Sequence, residues 1–120
     1  MSNRKSQPVI RLLKATQYSI AGIKSAFLHE QSFRIEILVL IAAIPAGLFF
    51  GGTAVEKTLL IGSWLLVITV ELLNSAIEAA LDRMGTEPNE LAGRAKDLGS
   101  AAVLCAIILA AMTWILILTD

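Results

Sequence analysis

From Leu98 to Thr119 the chain runs for 22 residues without one charged side chain. A segment of that length spans the hydrocarbon core of a bilayer as a single α-helix, which needs about 20 apolar residues. A second uncharged run covers Ile37 to Val55, and a third begins at Thr58 and reaches Val70. Beyond Val70 the helical apolar spacing continues through Leu81, broken by Glu71 and Glu78. Within 120 residues there is room for one domain. Hydrophobic residues make up 56% and charged residues 17%, well under the quarter that a water-facing surface usually carries. Disorder and an ordinary soluble core are both excluded by that balance. A net charge of zero gives no reason to expect a nucleic-acid partner. Cys105 is the one cysteine and has no partner for an internal disulfide.

The expected fold is an all-α membrane protein, a single membrane domain over 1–120. It has a surface helix over 8–30 and transmembrane helices over 35–52, 58–83 and 89–119. The second of these extends into the cytosol, and the third starts there. Basic residues set the orientation. Arg4, Lys5, Arg11, Lys14, Lys24 and Arg34 precede the first span, and Arg83, Arg94 and Lys96 lie between the second and third. The positive-inside rule puts the N-terminus and the 83–97 loop in the cytoplasm, and the C-terminus outside. Trp64 and Trp114 are expected toward the outer interface, in an aromatic belt. The first apolar run starts late and has no processing site, so no cleavable signal peptide is expected. Pro45 and Gly47 mark an expected packing kink in the first span. Gly85-Thr86-Glu87-Pro88 ends one helix and starts the next.

Residues 8–29 carry Val9, Leu12, Leu13, Ile20, Ile23 and Phe27 on one stripe and Arg11, Lys14, Tyr18, Gly22 and Ser25 on the other face. Such a helix lies in the headgroup plane with its apolar side down.

The middle span holds the chemistry. At 100° per residue, Glu71, Asn74, Ser75, Glu78 and Asp82 fall within an arc of about 100°. Lipid does not tolerate a seam of this kind, since an ionised carboxylate near mid-bilayer costs at least roughly 2.5–3.5 kcal/mol. The seam therefore faces protein, water or a ligand. Depth divides it: Glu71 sits about 9 Å short of the inner interface, Glu78 at it, and Asp82 beyond it. One carboxylate can reach a group just below the lipid headgroups while another meets a solute from the cytosol. Interhelical hydrogen bonding is the competing structural role for Glu71 and Asn74. Glu30, at the end of the surface helix, and Glu78 together offer oxygen ligands to a hard cation. Lys96 offers a point charge to phosphate oxygens, against the structural alternative of snorkelling. No phosphate-binding glycine loop, protein-kinase signature or Cys/His metal set is present in the sequence.

The run Glu71-Leu-Leu-Asn74-Ser-Ala-Ile-Glu78-Ala-Ala-Leu-Asp82-Arg83, followed by Glu90-Leu-Ala-Gly93-Arg-Ala-Lys96-Asp97-Leu-Gly-Ser100-Ala-Ala, closely resembles the prokaryotic diacylglycerol kinase family. The resemblance extends over nearly the whole chain from Arg11. It implies a bacterial inner-membrane enzyme that transfers the γ-phosphate of ATP, with Mg²⁺, to diacylglycerol, giving phosphatidate. It also implies a homotrimer whose active sites are shared between subunits. By that resemblance Glu71 is the general base and Asn74 orients it, while Glu30 and Glu78 hold the metal. ATP contacts fall to Arg11, Tyr18, Glu30, Glu78, Glu87, Lys96 and Asp97. Lipid contacts fall to Arg11, Ser19, Arg34, Glu36, Glu71 and Ser100. Phe27 stands where the family often has tryptophan, and Pro88-Asn89 departs from the expected nucleotide loop. An undecaprenol kinase of the same family shares the acidic helix. A small proton-coupled transporter would explain Glu71, though not Glu78, Asp82 and the Lys96-Asp97 pair. A regulatory subunit without catalysis leaves the seam unexplained.

Overall fold

The computed structural model describes residues 8–85 and 87–120. Arg4 and Lys5, used above for orientation, and Thr86 lie outside the described residues. Four helices follow one another: α1 (Pro8–His29), α2 (Gln31–Phe50), α3 (Ala54–Met84) and α4 (Glu90–Leu118). The last three are each long and apolar enough to cross a membrane. At a rise of 1.5 Å per residue, the 31 residues of α3 extend about 46 Å. That exceeds a hydrocarbon core of about 30 Å, so one end of α3 projects past it.

Between α2 and α3 the chain reverses at Gly51-Gly52-Thr53. Thr53 Oγ1 accepts from the Glu56 amide at 3.1 Å, and the Glu56 carboxylate accepts from the Gly52 amide at 3.1 Å. This reciprocal capping of a T-x-x-E sequence fixes the start of α3. The turn also needs close backbone approach. A Cβ at Gly51 would lie 2.6 Å from Lys57 Cγ, and one at Gly47 would lie 2.7 Å from Ile61 Cγ1. Gly47 is thus a contact point between α2 and α3, and α2 continues as helix through Pro45.

Helix α3 is central, packing on α2 along one side and on α4 along the other. Phe33 of α2 packs with Ile68 of α3 and with Ala26 of α1. Val67 packs with Ala106 and Ala110 of α4. Small residues bring α4 close, as helices in lipid require when apolar burial alone gives no driving force. Two tryptophans tie the helices together. Trp64 Nε1 donates to the Glu36 carbonyl at 2.8 Å, and Trp114 Nε1 donates to the Leu60 carbonyl at 3.0 Å. Both indole N–H groups are thus satisfied by carbonyls of neighbouring helices. Each such bond contributes about 0.6 kcal/mol, at most about 1.7.

Most large apolar side chains point outward, among them Leu38, Leu65, Leu104 and Leu116. The apolar stripe of α1 is exposed along its length, from Val9 to Phe27. Surfaces of that kind match lipid or a second protein surface, not water.

Candidate functional site

The antiparallel packing of α3 between its neighbours gathers the start of α2, the end of α3 and the start of α4 at one end of the bundle. Helix α1 joins that end through a corner of a single residue. Glu30 is extended (φ −116°, ψ 110°) between α1 and α2. Its amide donates to the Ala26 carbonyl at 2.8 Å. Arg34 secures the corner: Nη1 donates to the carbonyls of Phe27 at 2.8 Å and Leu28 at 3.3 Å. A cation on the last carbonyls of α1 satisfies orphan acceptors and matches the negative end of the helix dipole. His29 Nδ1 lies 2.9 Å from the Ser25 carbonyl, within the same turn. The corner fixes where the half-buried Glu30 carboxylate can reach.

Glu71 is one helical turn beyond Val67, which faces α4, and Ile68, which faces α2. It shares their side of α3 and is only 6% exposed. Glu36 of α2 is 7% exposed, and its Oε2 has no hydrogen-bond partner among the described residues. Glu71 lies near enough to Glu30, Glu78 and Glu36 for their charges to repel. Four carboxylates on three segments thus converge, two buried and two half-buried. Asn74 leaves this group toward α4. Its Oδ1 is buried without a hydrogen-bond partner and abuts Gly99.

A cleft of about 640 Å³ opens between α1 and α3, lined among others by Ser19, His29, Glu30, Ser75 and Ala79. Its lining is mainly apolar side chain with a few polar groups, as ligand clefts commonly are. On the opposite flank Lys96 Nζ pairs with Asp82 Oδ1 at 3.7 Å, both exposed. Asp82 thereby keeps the Lys96 ammonium beside the acidic face of α3. Asp97 and Ser100 are exposed on α4. Tyr18 and Arg11 lie on the exposed part of α1. Ser19 Oγ donates to the Ala15 carbonyl at 2.8 Å. Glu87 lines a concavity of about 690 Å³ with Leu81, Met84 and Asn89.

The unexpected Pro88-Asn89 pair has a local reason. Asn89 Oδ1 accepts from the amides of Leu91 at 2.9 Å and Ala92 at 3.2 Å, capping α4. Sequence reading also missed the capping role of Arg34, which an arginine five residues past a helix end could have signalled.

Among the described residues no group of three or more His, Cys, Asp or Glu side chains forms a metal cage. Mg²⁺ is usually held by one or two carboxylates together with substrate phosphates. Glu30 lines the cleft and Glu78 is half-buried on α3, and each offers carboxylate oxygens of that kind.

Comparison with known proteins follows the same lines. The sequence model described as prokaryotic diacylglycerol kinase matches residues 17–118. Diacylglycerol kinase of Escherichia coli K12 is 48% identical, over 90% of this chain and 88% of its own. That of Haemophilus influenzae is 46% identical over 92% and 93%. That of Pseudomonas aeruginosa is 44% identical over 90% and 88%.

Proposed function

The chain belongs to the prokaryotic diacylglycerol kinase family, and from that premise we propose that it transfers the γ-phosphoryl group of ATP to the free hydroxyl of diacylglycerol at the cytoplasmic face of a bacterial membrane. The observation that carries this reading is the graded set of carboxylates: Glu71 and Glu36 buried within membrane-spanning helices, Glu30 and Glu78 half-buried toward the bundle end. A lipid hydroxyl approaches from the apolar side, and a nucleotide from the water side.

Glu71 accepts the hydroxyl proton as the lipid oxygen attacks the γ-phosphorus and the bond to ADP breaks, giving phosphatidate and ADP. Its burial excludes water that would compete as nucleophile. Asn74 orients the base. Glu30 and Glu78 would hold Mg²⁺, which would supply positive charge to neutralise the phosphates. Lys96 adds a positive charge to the same phosphates, released from its exposed and weak pairing with Asp82. Arg11, Tyr18, Glu87 and Asp97 bind the nucleotide further along the water side. Ser19, Arg34, Glu36 and Ser100, with Arg11, position the lipid; for Arg34 this works through the α1 corner that it caps. The active assembly is a homotrimer, a reading supported by the apolar flanks and α1 stripe left uncovered in a single chain. The N-terminus lies in the cytoplasm and the C-terminus in the periplasm.

Purified protein in mixed micelles, given MgATP with labelled γ-phosphate, tests the proposal. Label is expected in diacylglycerol. Label in a polyprenol instead would assign the chain to the undecaprenol branch, and proton-driven efflux with no labelled lipid would replace kinase chemistry altogether.

A further inference from the structure

We propose that Gly99 is a positioning residue: its Cα–H holds the Asn74 side-chain oxygen on α4 and so leaves the amide N–H₂ for the acidic seam. The inference rests on the kinase reading of that seam and adds a residue to which no role was assigned above.

Three observations meet at this point. Asn74 Oδ1 is buried and has no hydrogen-bond partner among the described residues. Gly99 is buried. A Cβ added to Gly99 would collide with that same oxygen. The hydrogen that a Cβ would replace therefore points at Asn74 Oδ1. Contacts of the Cα–H···O type recur where helices approach closely, and a glycine supplies the hydrogen and the space together. The contact also selects which end of the amide faces α4. Gly99 presents only C–H hydrogens there, which attract an oxygen and repel an amide N–H. The two N–H donors are then what Asn74 offers to Glu71, one turn before it, or to Glu78, one turn after it. A buried oxygen left without a strong partner is an expense that a purely structural asparagine would avoid.

An alanine at position 99 would displace the amide, the backbone of α4, or both, by a fraction of an ångström or more. The test compares initial rates of lipid phosphorylation for the wild type, Gly99→Ala, Asn74→Ser and the double variant, with ATP varied at saturating diacylglycerol. Gly99→Ala is expected to lower kcat by about 10²-fold, the effect of a misplacement near 1 Å, with a smaller change in the KM for ATP. Asn74→Ser shortens the side chain and removes the collision. In that background Gly99→Ala is expected to lower the rate by no more than about twofold. Losses that multiply, or a Gly99→Ala protein as active as the wild type, would overturn the proposal. Should Gly99→Ala fail to fold alone, the Gly99 Hα chemical shift decides: it is expected to move when Asn74 is replaced by serine, and an unmoved shift refutes the contact. A wild type that phosphorylates no lipid overturns the kinase reading instead, and is distinguished because the parent protein is then silent.

Discussion

Replacing Glu71 with glutamine should separate catalysis from folding, and the structure sets the sign of each effect. Glutamine is nearly isosteric and removes one negative charge from a side chain only 6% exposed. In the proposed role of general base the carboxylate would contribute roughly 10²- to 10⁴-fold to the rate. That corresponds to about 2.7–5.4 kcal/mol of transition-state stabilisation, at 1.36 kcal/mol per decade. On folding the effect runs the other way. An ionised carboxylate deep in a membrane helix costs roughly 2.5–3.5 kcal/mol, and Glu30, Glu78 and Glu36 add repulsion. Glu71→Gln should therefore unfold at the same denaturant concentration as the wild type or a higher one, while its kcat falls by at least about 10²-fold. The assay is the initial rate in mixed micelles against ATP concentration, paired with denaturation followed by helical circular dichroism. Retained turnover would remove Glu71 from the base role. Turnover lost together with stability would mean that the carboxylate holds the bundle together.

Three further outcomes follow from individual contacts. Gly47→Val sets a branched side chain against Ile61 at the α2–α3 approach and should destabilise the bundle by about 1–3 kcal/mol, read by denaturation in micelles. Arg34→Met removes both bonds to the end of α1, worth about 1.5–3 kcal/mol for a charged donor. Spin labels on α1 and α3 should then report a broader distance distribution, and an unchanged one would show that the corner holds without the guanidinium. Lys96→Met should raise the KM for ATP well above its effect on stability, because an exposed pair contributes at most about 1 kcal/mol; a matching loss of stability would make Lys96 structural.

The existence of the helices was readable because a run of apolar residues partitions into lipid wherever its neighbours lie. The acidic seam was readable for a related reason: helical periodicity alone puts Glu71, Glu78 and Asp82 on one face. The burial of Glu71 among three other carboxylates follows from packing, and the partners of Trp64 and Trp114 were missed for the same cause. An indole N–H near a membrane boundary has two ways to be satisfied, by headgroups or by a neighbouring carbonyl. Only the register between helices selects Glu36 and Leu60. Arg34 is similar, since its positive charge suits a lipid phosphate as well as a helix end. Gly47 and Gly99 carry no side chain for a pattern to register, and their importance lies in what would collide with one.

In the proposed mechanism labour is divided along α3, with Glu78 serving the metal–nucleotide and Glu71 the lipid hydroxyl. Binding of MnATP to the wild type, Glu71→Gln and Glu78→Gln, followed by loss of the free Mn²⁺ electron paramagnetic resonance signal, tests it most directly. Glu71→Gln is expected to bind MnATP as the wild type does, and Glu78→Gln at least about tenfold more weakly, as loss of a charged ligand implies. Equal binding by Glu78→Gln, or binding lost in Glu71→Gln, would contradict it.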